Sequence, residues 1–284
     1  MNNTKSRNVA ILLATYNSER YIRTQLDSIL NQTYTNWILY IRDDGSTDST
    51  NDILLEYMQI YPNKIFIIRD EDKGLRAYGN FIRLLYSIES DFYMFSDHDD
   101  VWLPNKIELT INKLNEAISI YGNDIPLLVH TDMMVVDEEL NVIDKSFWHF
   151  SHLLPSHTKF EELVFCNSIN GCTILINQKA KEVSFRNINN CIMHDILLGQ
   201  SVAANHGKIL KVDIPTMLYR QHNNNVVGAI DVNKSYFISK IKSIGKSLKS
   251  FMRIVSKAKK IHNVSFLSLL FYKLYTLFLR IIKK

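Results

Sequence analysis

The first 130 residues repeat one pattern. Short apolar runs alternate with stretches whose apolar residues recur every three or four positions. The runs are Val9–Ala14 (VAILLA), Trp37–Arg42, Ile65–Ile68, Phe92–Phe95 and Leu127–His130. Between them, Ile22, Leu26, Ile29 and Leu30, then Ile53, Leu54, Tyr57, Met58 and Tyr61, then Phe81, Leu84, Leu85 and Ile88, then Ile107, Ile111, Leu114, Ile118 and Tyr121 each form a helical stripe. A run that is apolar at every position suits a parallel strand covered on both faces. Strand–helix alternation at this spacing predicts an α/β fold with a mostly parallel, doubly wound sheet, with ligands at the strands' C-terminal ends. Beyond residue 133 the pattern becomes mixed. Cys172–Ile176 and Thr216–Gln221 are expected to be strands, His194–Ala204 a helix, and residues 145–158 a mobile loop.

Polar clusters lie where that fold would place a site: Thr15-Tyr16-Asn17 after the first run, Asp43-Asp44-Gly45-Ser46 after the second, and Asp97-His98-Asp99-Asp100 after the fourth. Three carboxylates in four positions at a buried strand end repel one another and are penalised by desolvation. A bound divalent cation relieves both costs, and oxygen ligands suit Mg²⁺ or Mn²⁺. A solvated acidic turn is the plainer alternative, and Asp100 could simply cap the next helix. Three other readings fit less well. None of the nine glycines forms a GxG pair, so the dinucleotide-binding turn is missing. Gly245-Lys246-Ser247 ends like a P-loop, but Lys240 stands where its first glycine belongs. Asp97-His98-Asp99-Asp100-Val101 has the form of an aspartyl-phosphate phosphatase motif. That motif belongs after the first strand, and no suitable acidic pair follows downstream.

The chain has 284 residues and a net charge of +4, which hides an asymmetry. Residues 234–284 carry 13 Lys/Arg and no Asp or Glu, leaving 20 basic and 29 acidic residues, a net of −9, in residues 1–233. An acidic body, 1–233, and a basic tail, 234–284, are thus expected to meet different partners. Lysines interrupt the tail's apolar residues, and Lys273 and Arg280 fall seven apart on one helix face. This favours an amphipathic helix on an anionic membrane surface over a spanning one. A helical cap on the body, or a dimer interface, are the alternatives. Nucleic acid is not an expected partner, because the basic segment is rich in aliphatic residues. Cys166, Cys172 and Cys191 form no CxxC pair, which suits a reducing cytoplasm.

The segments ILLATYNSERYI, QLDSILNQTY, IRDDGSTDST, FSDHDDVWLPNK, NSINGCTILIN, MHDILL and LYRQHNNNVVG, spread over about residues 8–228, resemble the family-2 glycosyltransferases. Within that family they are similar to bacterial rhamnosyltransferase-type enzymes of surface-polysaccharide assembly. The resemblance implies a GT-A fold and metal-dependent, inverting transfer from a nucleotide-activated sugar. It implies that Asp99 binds the metal, that Asp97 contacts metal or ribose, and that His222 is a third metal or phosphate contact. Asp44 would face the base beside Thr15, Tyr16 and Asn17, Glu19 could reach the ribose, and Arg76 the diphosphate. Asp195 would be the general base. Its plain alternative is a first-turn carboxylate offsetting a helix dipole. Trp102, Asn170, Gly171 and Arg220 would border the acceptor. Trp148, His149, His152 and His157 have no spacing that defines a metal face.

The partners expected on this resemblance are a dTDP- or UDP-linked sugar donor and a polyprenyl-diphosphate-linked acceptor. The product would be O-antigen or capsule, made by a peripheral enzyme on the cytoplasmic face of the cell membrane. Rhamnose is the favoured sugar. A UDP-hexose or N-acetylhexosamine transferase is the enzymatic alternative, and a catalytically silent membrane-docked scaffold the alternative of another class.

Overall fold

A computed structural model describes residues 7–190, 193–222 and 244–282. The 233/234 boundary, Cys191 and the end of the LYRQHNNNVVG segment lie outside the described residues. The strands are β1 (Val9–Thr15), β2 (Trp37–Asp43), β3 (Ile65–Ile67), β4 (Phe92–Ser96), β5 (Val101–Trp102), β6 (Leu127–Val136), β7 (Val142–Asp144), β8 (Leu175–Asn177) and β9 (Lys208–Arg220). The helices are α1 (Ile22–Leu30), α2 (Thr50–Ile60), α3 (Arg76–Ser87), α4 (Lys106–Tyr121), α5 (Phe147–Phe150), α6 (Phe160–Phe165), α7 (Gln178–Phe185), α8 (His194–Ala204), α9 (Ile244–Ile261) and α10 (Phe266–Ile282).

Among the described residues the strands form one sheet in the order β3-β2-β1-β4-β8-β6-β9-β5, with β7 paired to β6. β3, β2, β1 and β4 run parallel, as the alternation predicts. β8 breaks the pattern by pairing antiparallel with both β4 and β6. All seven residues of β1 are buried because successive side chains serve opposite layers. Val9, Ile11 and Leu13 meet α1, α2 and α4 on one face; Ala10, Leu12 and Ala14 meet α3 and α8 on the other. Phe92 and Met94 against Tyr93 and Phe95 divide β4 in the same way.

Register is what builds the site. Thr15 lies beside Asp43 across β1–β2, and Leu13 beside Ser96 across β1–β4. The three polar clusters therefore leave the sheet side by side, at one edge.

Residues 145–158 are packed, not a bare loop. Ser146 caps α5 by accepting from the His149 amide (3.0 Å), and Phe147, Trp148, Leu153 and Leu154 are buried. Asp132 of β6 anchors the segment: its Oδ2 accepts from Ser146 Oγ (2.5 Å) and its Oδ1 from the Trp148 amide (3.2 Å). α9 and α10 lie against the body, where Phe251, Val255, Ala258, Val264 and Leu269 share a small core with Phe160 of α6. No described helix is long and apolar enough to cross a membrane.

Candidate active site

A cavity of about 830 Å³ opens at the strand ends. Thr15, Tyr16, Asn17, Asp44, Arg76, Asp97, Asp99, Asn170, Gly171, Asp195 and His222 all line it, so eleven of the fourteen residues singled out from sequence meet in one place. Glu19, Trp102 and Arg220 do not line it. Glu19 accepts from the Ser49 amide (2.9 Å) and fixes the turn before α2. Trp102 is a core residue at 2% exposure, with the Lys106 ammonium over its ring. Arg220 braces the acidic turn from behind. Its amide donates to Asp100 Oδ1 (3.2 Å), its Nε to the Asp99 carbonyl (2.8 Å), and its guanidinium lies over Tyr21.

The wall built by the loops after β1 and β2 is held by backbone geometry. Asn17 has φ +45°, and its Oδ1 accepts from the Thr47 amide (2.8 Å). That bond ties the loop after β1 to the loop after β2. Asp43 accepts from the Gly45 and Ser46 amides, making the tight Asx turn that Gly45 completes at φ +94°. Asp44 accepts from the Leu75 (2.9 Å) and Arg76 (2.8 Å) amides and from Arg42 Nη1 (3.2 Å). Arg42, fully buried, was not singled out from sequence. Its guanidinium also meets Asn80 and forks onto Asp70 at 2.9 and 2.6 Å, joining β2, α3 and the intervening loop. A planar fork suits that role as an ammonium would not.

The acidic turn is electrostatically tense. Burial first, then the charges of Asp99 and Asp195, push the Asp97 carboxyl up to about 7. Asp195 is therefore close enough to be felt there. Burial also acts upward on Asp99, but a hydrogen bond from His222 Nε2 (2.9 Å) and the neighbouring imidazole of His98 outweigh it and hold that carboxyl below its usual range. His222 stacks on Tyr21, ring centroids 5.0 Å apart. Asp100 is fully buried, and burial and its two acidic neighbours raise it well above the ordinary value. Its Oδ2 has no hydrogen-bond partner. Lys106, also fully buried, sits below, donating to the Cys172 carbonyl (2.8 Å); desolvation lowers its ammonium to about 8.

Ligand atoms of Asp97, Asp100 and Cys172 lie within 4.8 Å of one another. That set differs from the expected Asp97, Asp99 and His222, in which Asp99 and His222 bond to each other. A buried carboxylate oxygen without a partner, beside a second carboxyl raised by burial and like charge, is a donor set that a hard divalent cation suits. The Cys172 thiol, raised well above its ordinary value by burial and the nearby carboxylates, adds little to such a set.

Asp195 stands in the first turn of α8, on the far wall. Its Oδ1 accepts from the Ile196 amide (2.7 Å) and its Oδ2 from Asn167 Nδ2 (3.3 Å). Burial outweighs these bonds and raises it to about 6. Beside it His194 is kept neutral by desolvation, its ionisation lowered to about 3. The imidazole lies 4.3 Å from Phe81 and 5.0 Å from Phe95, between ring centroids. Gly171 is required there, because a Cβ would come 2.1 Å from His194 Nε2.

Residues 10–132 match the model of the family described as glycosyl transferase family 2. The dTDP-rhamnosyl transferase RfbG of Shigella flexneri is 34% identical over 229 residues, 76% of this chain and 74% of that one. The chain belongs to glycosyl transferase family 2. The UDP-Glc:alpha-D-GlcNAc-diphosphoundecaprenol beta-1,3-glucosyltransferase WfgD of Escherichia coli is 34% identical over 117 residues, 40% of this glycosyltransferase and 45% of WfgD. In three dimensions the chain superposes on S. aureus TarS 1-349, crystallised with UDP-GlcNAc, with a TM-score of 0.60 at 16% identity. That match covers 95% of this chain and 71% of TarS 1-349. At that identity the likeness is one of fold, and the fold is GT-A.

Proposed function

We propose that this glycosyltransferase moves a sugar, rhamnose before other hexoses, from a nucleoside diphosphate to a lipid-linked oligosaccharide during bacterial surface-polysaccharide assembly. The rhamnosyl donor is favoured because RfbG matches over three-quarters of the chain, against two-fifths for WfgD. The lipid-linked acceptor is taken from the activity that WfgD is named for. Thr15, Tyr16, Asn17 and Asp44 would hold the nucleotide, with Arg76 beside its diphosphate. Asp97, Asp99 and Asp100, with His222 adjacent, would hold a divalent cation. Such an ion would supply charge neutralisation of the leaving diphosphate.

Asp195 accepts the proton of the acceptor hydroxyl as that oxygen attacks the anomeric carbon. The new glycosidic C–O bond forms while the bond to the diphosphate breaks on the opposite face, which inverts the centre. Asn167 and the Ile196 amide keep the carboxylate turned towards the cavity. Asn170, Gly171 and Phe147 border the acceptor. The tail, 234–284, would attach the enzyme to the anionic inner face of the cell membrane, a second unit after the catalytic domain 1–233.

One observation carries the catalytic reading: Asp195 and the acidic turn share a cavity closely enough for their charges to interact. Asp195→Asn is expected to bind dTDP and UDP as the parent does while losing transfer by about a hundredfold or more. Unchanged turnover by Asp195→Asn in a dTDP-rhamnose assay would remove it as the base.

A further inference from the structure

Exposed apolar side chains are common on any protein and need no explanation when scattered. Here they are not scattered. Of the nineteen large apolar residues left exposed among the described residues, eight lie on α10: Phe266, Leu267, Phe271, Leu274, Tyr275, Leu277, Phe278 and Ile282. Leu267, Phe271, Leu274, Tyr275, Phe278 and Ile282 follow spacings of four, three, one, three and four, which is one helix face. At 17 residues, α10 extends about 25 Å. The opposite face is engaged: Leu269 and Thr276 are buried, and Arg280 Nε and Nη2 donate to the carbonyls of His152 and Ser151, both at 3.0 Å. His157 stacks on Tyr275, centroids 6.0 Å apart with the planes at 6°. These residues belong to the packed segment whose other end carries Phe147, a wall of the cavity, and is anchored to Asp132.

We propose that the outer face of α10 is a lipid-binding surface, and that through Arg280 it fixes residues 146–158, so that seating on an anionic bilayer orders the acceptor-side wall of the active site. The proposal rests on the membrane attachment given above and adds its surface and its consequence. The occupant is an anionic bilayer because the segment carrying the stripe has 13 basic and no acidic residues. On α9 itself, Arg253, Lys257, Lys259 and Lys260 are exposed. An exposed apolar face within so basic a segment suits phospholipid headgroups and the first methylenes beneath them.

The test uses the full chain, with no donor or acceptor. Flotation with vesicles of equal parts POPC and POPG reads attachment; amide hydrogen exchange over residues 146–158 reads the coupling. The parent should float, and vesicles should slow exchange in that segment roughly threefold or more. Leu274→Glu with Phe278→Glu should abolish both effects. Arg280→Gln should still float but lose the slowing, and Arg280→Lys, which keeps the charge without the fork, should recover part of it. Thermal melts will show that each variant is folded. Failure of the parent to float, or a dimer in solution that covers the stripe, overturns the lipid surface and the attachment with it. Flotation with unchanged exchange at 146–158, or Arg280→Gln behaving as the parent, overturns the coupling alone.

Discussion

A carboxylate in the first turn of a helix is ordinarily kept ionised by the backbone amides around it. Asp195 has such an amide and the Asn167 side chain, yet burial outweighs both and leaves it titrating at about 6. In the proposed role of base it works only when ionised, so the transfer rate should fall about tenfold per pH unit well below 6 and level off above it. Asn167 donates to the carboxylate form. Asn167→Ala therefore raises the Asp195 pKa, and the acid limb of kcat should move to higher pH by roughly one unit at most. A limb that stays put in a rate–pH profile would show that another group sets it. Asp195 was singled out because MHDILL resembles the segment that carries the family's general base, and the strand-end clusters because strand–helix alternation brings such ends together. Arg42 was not, since its partners Asp70 and Asn80 lie 28 and 38 residues on. A strand residue before two aspartates gives no local sign that it will bridge to them.

Among the elements, the parallel half of the sheet follows from wholly apolar runs that alternate with helical stripes, and needed no tertiary information. β8 and α5 did. β8 is three residues long and preceded by a 3-10 turn at Gly171–Thr173, so its pairing between β4 and β6 is decided by neighbours rather than by its own sequence. The segment 145–158 reads as a loop because α5 has only four residues and Pro155 follows. Its first residues are held by one buried carboxylate of β6, 14 residues upstream of Ser146. Asp132→Ala leaves Ser146 Oγ and the Trp148 amide without that acceptor and should cost about 1–3 kcal/mol. Urea denaturation measures that loss. Exchange at residues 146–150 should rise in the same variant, whereas α1, α2 and their strands should keep their protection. A uniform rise across the chain would mean that Asp132 supports the whole sheet and not this one element.

At the scale of the molecule, the proposed arrangement has the basic tail answering to two surfaces, the body and a bilayer. Composition alone shows its charge and its amphipathic character, but not that one face is spent on the protein's own body. Phe251, at 3% exposure, packs with Phe160 and Val255, while Lys273 lies 4.2 Å over its ring. The apolar stripe of α10 points elsewhere. If docking on the body and docking on lipid use different faces, they should separate under mutation. Phe251→Ala opens a cavity in the small core and should destabilise α9 and α10 by about 3–5 kcal/mol. Exchange in those helices should rise while the sheet stays protected. The stripe and the charges remain, so flotation on POPG-containing vesicles should persist. Transfer to a bilayer-borne acceptor should nevertheless drop, because a tail loosened from the body no longer presents the cavity to the surface it is attached to. Loss of flotation together with the melt would mean that only the docked tail can bind lipid, and that the two faces act as one.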